Sequence, residues 1–266
     1  MLKVRIVVGA DGSPGSVLAV RWAAAEARLR AAELRVFTAY HRRDPSTQHD
    51  DGASAVMREA VTQARAVAPD IEVRGMALPG YAAPILLHAA EEAVLLVVGD
   101  RRRGSLPGQP LGSVGSQVAT HARASVVVVR GRPGCDDGPV VVGVDDGPAA
   151  STIIGRAFEE AALRDAPLRA VTAHANGRAT VPAGPSGTPL GAPIDPQLDP
   201  WREKYPSVRV EREYAAGRPD RVLVQRCEEA QLVVVGPRRH GYQGVMLGAV
   251  GSELLRRAAC PVLIAR

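Results

Sequence analysis

The chain is written twice. VVVGVDDGPAASTIIGRAFEEAALRDAPLRAVTAH, from Val140, repeats RIVVGADGSPGSVLAVRWAAAEARLRAAELRVFTAY, from Arg5. Asp145 falls 134 residues after Asp11. Further on, LVVVGPRRHG answers LLVVGDRRRG, with Gly236 placed 137 residues after Gly99, and the chain ends PVLIAR against SVVVVR. Several segments in one order and at nearly one spacing mark a duplication rather than chance likeness. The fold must therefore close within about half of 266 residues, and it must close twice.

Within each copy, short apolar runs alternate with Ala-rich stretches of helical spacing. Val4 to Ala10, Leu34 to Ala39, Ile71 to Leu78, Val94 to Gly99 and Ser125 to Arg130 read as strands. Ser13–Ser16 opens a helix to about Ala31; further helices are expected over Ala53–Val67, Ala82–Ala93 and Ser113–Arg123. Aromatic residues make up only 3%, so the core is built from Val, Leu, Ile and Ala, which suits parallel strands covered by helices. Alternating strands and helices predict an α/β class: two tandem, doubly wound, five-stranded parallel-sheet domains of the Rossmann-like kind. Gly131–Gly138 reads as a linker, which sets the domains at residues 1–132 and 138–266. The second copy carries a Pro- and Gly-rich insertion, Asn176–Pro200, expected to be mobile and to hold no site; Trp201–Tyr205 would follow as a shortened second helix.

One stretch carries chemistry. In VLLVVGDRRRGSLPGQPLGS, Val94 to Ser113, a buried strand ends at Gly99, an Arg- and Gly-rich loop follows, and Gly112-Ser113 opens a helix. A helix N-terminus offers unpaired N–H groups and the positive end of a dipole, and so attracts anions. Glycines let backbone approach a phosphate; alternatively they serve only a tight strand-to-helix connection. Asp11, at the end of the first strand, is either a turn former or a carboxylate that accepts ribose hydroxyls or holds a metal through water. Arg102 blocks the loop, reaches a phosphate with Arg101 or Arg103, or belongs to a solvated basic loop.

These residues resemble the universal stress protein family in its tandem two-domain form. The family pattern runs Gly, two residues, Gly, nine residues, Gly-Ser or Gly-Thr. Gly99 and Gly112-Ser113 fit it, while the middle position is Arg102 and Gly104 comes two places late. In the second copy Gly236 fits, Arg239 stands in the middle, and Gly248-Ala249 arrives one residue early without the hydroxyl. The resemblance implies the strand order 3-2-1-4-5, whose switch point lies between strands one and four. It also implies an adenine-nucleotide site in the first half only. There Ala10 and Asp11 sit at the adenosine end and Ala39 offers backbone to the adenine edge. Gly99, Gly112, Ser113, Val114 and Gly115 surround ribose and phosphates, with Arg102, the candidate phosphate contact, standing where the family has a glycine. The implied ligand is ATP, with or without Mg, bound more weakly than a full-glycine loop would bind it.

Other classes find little support. The net charge is +5, yet the Arg residues are scattered among Asp and Glu and no aromatic platform accompanies them, which argues against nucleic acid. Cys135, Cys227 and Cys260 are far apart and read as inert thiols in a reducing compartment; neither they nor the histidines show metal spacing. No nucleophile has a recognisable partner, no carboxylate pair reads as an acid–base couple, and Lys3 and Lys204 lie outside the loop, so the reading is not an enzyme. No apolar run is long enough to span a bilayer and the start lacks a secretory signal, so a cytoplasmic protein is expected. The expected role is regulatory: ATP in the first half sets a conformation that an unknown protein partner reads, with slow or no hydrolysis. The alternative is a nucleotide-free interaction or scaffold protein. Val126–Val129 and Val262–Ala265 would be apolar sheet edges, expected to pair the halves as a pseudo-dimer and to permit a homodimer.

Overall fold

Strand β1 (Arg5–Gly9) runs through the middle of the first half's sheet, and Ile6, Val7 and Val8 have no exposed surface. The computed structural model describes residues 3–41, 51–100, 112–131, 137–174, 194–239 and 245–266. These form two units, Met1–Arg130 and Gly131–Arg266.

In the first unit β1 is followed by α1 (Pro14–Leu29), β2 (Glu33–Tyr40), α2 (Asp51–Val67), β3 (Val73–Pro79), α3 (Ala82–Ala89), β4 (Leu95–Gly99), α4 (Ser113–His121) and β5 (Ser125–Val129). The strands lie in the order β3-β2-β1-β4-β5, all parallel, with Val8 between Val36 and Val97. β1 and β4 are thus neighbours that are far apart in sequence, the arrangement that opens a crevice at their carboxyl ends. Ala19, Ala23, Ala24 and Ala27 give α1 a fully buried face of small side chains that seats the helix close to the sheet.

The second unit repeats this with β6 (Val140–Gly143), α5 (Ala150–Leu163), β7 (Leu168–His174), α6 (Asp195–Lys204), β8 (Val210–Ala216), α7 (Pro219–Arg226) and β9 (Leu232–Val235). A short antiparallel pair, β10 (Arg238–Arg239) and β11 (Val245–Met246), precedes α8 (Ala249–Arg257) and β12 (Val262–Ile264). Its parallel order is β8-β7-β6-β9-β12. The repeat extends to detail. Glu26–Arg30 on α1 and Glu160–Arg164 on α5 form the same buried ion pair one helical turn apart. Ala31 and Asp165, just beyond, both take left-handed backbone at φ 49° and 50°.

Three expectations change. The insertion is not structureless to Pro200: from Asp195 it is α6, with Leu198 fully buried. Asp195 and Pro196 explain the start, since an acid favours the first turn and a proline there loses no helical hydrogen bond. Residues 175–193 lie outside the described residues. α3 stops at Ala89 and tightens into a 3-10 turn, Ala90–Glu92. The β10–β11 pair had no signal in the alternating pattern.

Candidate functional site

At the carboxyl end of β1 the chain turns sharply into α1. Ala10 donates its N–H to the Phe37 carbonyl at 2.8 Å, which ties the end of β1 to β2. Asp11 Oδ1 accepts the Ser13 N–H at 3.0 Å, closing a side-chain-to-backbone turn. Ser13 is the N-cap of α1, its Oγ accepting the Ser16 N–H at 3.2 Å. The Ser16 hydroxyl donates to the Ser13 carbonyl at 2.9 Å and accepts the Asp11 N–H at 3.3 Å. Ser13 thus takes up one amide at the start of α1 with its side chain, while Asp11 remains exposed at the lip.

The end of β4 packs against this turn, backbone to backbone. A Cβ added to Gly15 would fall well inside contact distance of the Asp100 carbonyl, and one added to Gly99 would collide with the Gly15 carbonyl. The bare Cα of Gly99 therefore serves α1 first, and only through that packing shapes the crevice. Asp100 is in turn held by a buried ion pair with Arg130, Nη2 to Oδ2 at 3.3 Å, where β4 and β5 end. Across the opening, α4 starts at Ser113 with Gly112 as N-cap, and among the described residues no side chain caps it. The N–H groups of Ser113, Val114 and Gly115 have no intrahelical partner, so the start of α4 is an electropositive end.

Between these elements lies a cleft lined by Gly9, Ala10, Asp11, Ser13, Ser16, Phe37, Ala39, Ala82, Ile85, Leu86, Val98, Gly99, Gly112, Val114 and Gly115. One end is apolar, walled by β2 and α3. Asp11 and the start of α4, with Gly112, Val114 and Gly115, complete the lining. Ala10, Asp11, Ala39, Gly99, Gly112, Val114 and Gly115, all singled out from sequence, come together here. Ser113 sits exposed at the first position of α4 and is not part of the lining. Arg102, with the rest of 101–111, lies outside the described residues. Sequence reasoning missed the α3 wall. Ala82, Ile85 and Leu86 share one helix face, a pattern that reads equally well as plain core.

The second half keeps the frame and alters the opening. Asp145 Oδ1 accepts the Gly147 N–H at 3.0 Å, the same turn that Asp11 makes. But α5 begins later, at Ala150, and among the described residues no side chain caps it. Val144, Ala149, Ala150 and Ile153 stand where the first half has Ala10, Gly15, Ser16 and Ala19. Ile153 presses its Cδ1 into the space a side chain at Gly236 would occupy. At the start of α7, Arg218 grips Asp220 through two hydrogen bonds of 3.1 and 2.7 Å, and this pairing holds the Asp220 carboxyl below its ordinary value.

Two doubly wound parallel sheets in tandem, with a cleft over the switch point of the first, define the class of protein. The model of the universal stress protein family matches residues 4–130 and again 138–266, and the chain belongs to that family. It is 36% identical over 287 residues to the universal stress protein Rv2623 of Mycobacterium tuberculosis, spanning 98% of this chain and 96% of that protein. A universal stress protein of Mycolicibacterium smegmatis is 30% identical over 291 residues, spanning 98% of this chain and 96% of its own. Among solved structures, a universal stress protein from Archaeoglobus fulgidus superposes with a TM-score of 0.76 over 100% of this chain and 99% of its own; at 17% identity the likeness is one of fold. Among the described residues no helix is long and apolar enough to cross a membrane.

Proposed function

We propose that the first half binds an adenine nucleotide, ATP with or without Mg, and that the protein is regulatory rather than catalytic. The observation that carries this is the make-up of the cleft: apolar residues of β2 and α3 line it together with Asp11 and the start of α4. An adenine base suits the slot beside Ala39, and ribose hydroxyls suit Asp11 beside Ala10. Phosphates suit the amides of Gly112, Ser113, Val114 and Gly115 next to Gly99. Arg102 belongs to this reading on sequence grounds alone. The regulatory role is supported by the chain's membership of the universal stress protein family.

The test is direct. Purified protein is boiled, the supernatant is chromatographed for nucleotide, and Mg-ATP is titrated into the stripped protein by calorimetry. Asp11→Asn retains an oxygen that can accept the Ser13 amide but removes the charge, and it should weaken ATP about tenfold. Asp145→Asn should leave ATP binding unchanged. An empty supernatant and no heat with Mg-ATP would overturn the proposal in favour of a nucleotide-free interaction protein.

A further inference from the structure

Two rows of cleft-lining residues run outward to one point. Along β2, Phe37 and Ala39 lie on the same face of the strand and both line the cleft; His41 is next in that row. Burial falls along it, from buried Phe37 through half-buried Ala39 to exposed His41. Along α3, Ala82, Ile85 and Leu86 line the cleft, and Tyr81 is the N-cap one turn before Ile85, whose N–H bonds the Tyr81 carbonyl at 3.3 Å. The rows converge where the rings of His41 and Tyr81 meet edge to face, centroids 4.9 Å apart and planes at 69°. Tyr81 is 74% exposed, a large aromatic left in water beside an apolar slot.

We propose that His41 and Tyr81 form an aromatic rim that stacks on the outer part of a planar base seated in the slot, and so selects for the heterocycle rather than for the phosphates. This deepens the nucleotide reading and rests on it. Neither residue is part of the cleft's inner lining; each is the next step beyond residues that are. An exposed ring already braced by a second ring offers a face to a base with little ordering left to do. The second half lacks the feature. Arg218 occupies the place of Tyr81, and it is engaged with Asp220.

Calorimetry with ATP and with tripolyphosphate on wild type, Tyr81→Ala, Tyr81→Phe and His41→Ala tests this. Tyr81→Ala should weaken ATP roughly tenfold, within the range known for base–aromatic stacking, and should leave tripolyphosphate binding unchanged. His41→Ala should give a smaller loss in the same direction, and Tyr81→Phe should retain wild-type affinity. Because Tyr81 is exposed, its removal should not unfold the half, which a melting curve checks. If wild type binds ATP and Tyr81→Ala binds it equally well, the rim is only a clasp between β2 and α3, and this proposal fails alone. If wild type binds no ATP, the nucleotide reading fails and this one with it.

Discussion

The turn after β1 and the turn after β6 are built alike, with Asp11 bonded to the Ser13 amide and Asp145 to the Gly147 amide at the same 3.0 Å. What surrounds them is not alike. In the first half Ala10, Gly15 and Ala19 are small, and the backbone of α1 can settle on the end of β4. In the second half Val144, Ala149 and Ile153 are larger, and a side chain rather than backbone meets the end of β9. The contrast teaches that the aspartate is retained for folding wherever the turn occurs. The halves differ in what lies around it: Gly15 and Ala19 in the first stand where the second has Ala149 and Ile153.

Three changes would break or sharpen this contrast. The largest effect should be shared by the halves. Glu26→Ala and Glu160→Ala each remove the carboxylate from a buried ion pair and should each destabilise their own half by about 3 kcal/mol. Hydrogen exchange read separately over β1–β5 and β6–β12 would show it, and a loss confined to one half would contradict the common frame. The next effect should separate them. Gly15→Ala sets a methyl against the Asp100 carbonyl, which backbone cannot easily yield, and should cost the first half about 2–3 kcal/mol. Gly236→Ala meets only the flexible end of Ile153, so its cost should be smaller and should be relieved in a Gly236→Ala, Ile153→Ala double variant. The smallest effect should be on pH. The Asp220 carboxyl is held low in the folded state, so at acid pH the unfolded chain binds the extra proton. Its contribution is present above the ordinary carboxylate range and is lost as the pH falls through the lowered value. Asp220→Asn should lower the second half's stability slightly near neutrality and flatten its acid limb below about pH 4, which denaturant unfolding followed from acid to neutral pH checks.

Much of this was legible in the residues. The duplication set the two units, and period and alternation set the parallel sheets with β1 and β4 adjacent. Ser13 announced its own cap, and most of the cleft's glycines and alanines could be named. The missing parts share a cause: they depend on contacts between distant segments. Gly15 is explained only by Asp100, 85 residues on, and Ile153 only by Gly236. Ile85 and Leu86 carry an amphipathic pattern that gives no sign of whether the buried face meets a core or a cleft. His41 and Tyr81 are unremarked in sequence because nothing local brings them together. The start of α6 at Asp195 was hidden by the proline-rich stretch before it, although Asp-Pro at a helix start is itself a signal.

Each half takes all of its strands from one continuous run of chain, with β5 closing the first at Val129. During synthesis the first half can therefore complete its sheet once that run has left the ribosome, before most of the second has been made. Any nucleotide that fits its cleft would meet a finished receptor while translation is still under way, and would hold it folded by mass action from that moment.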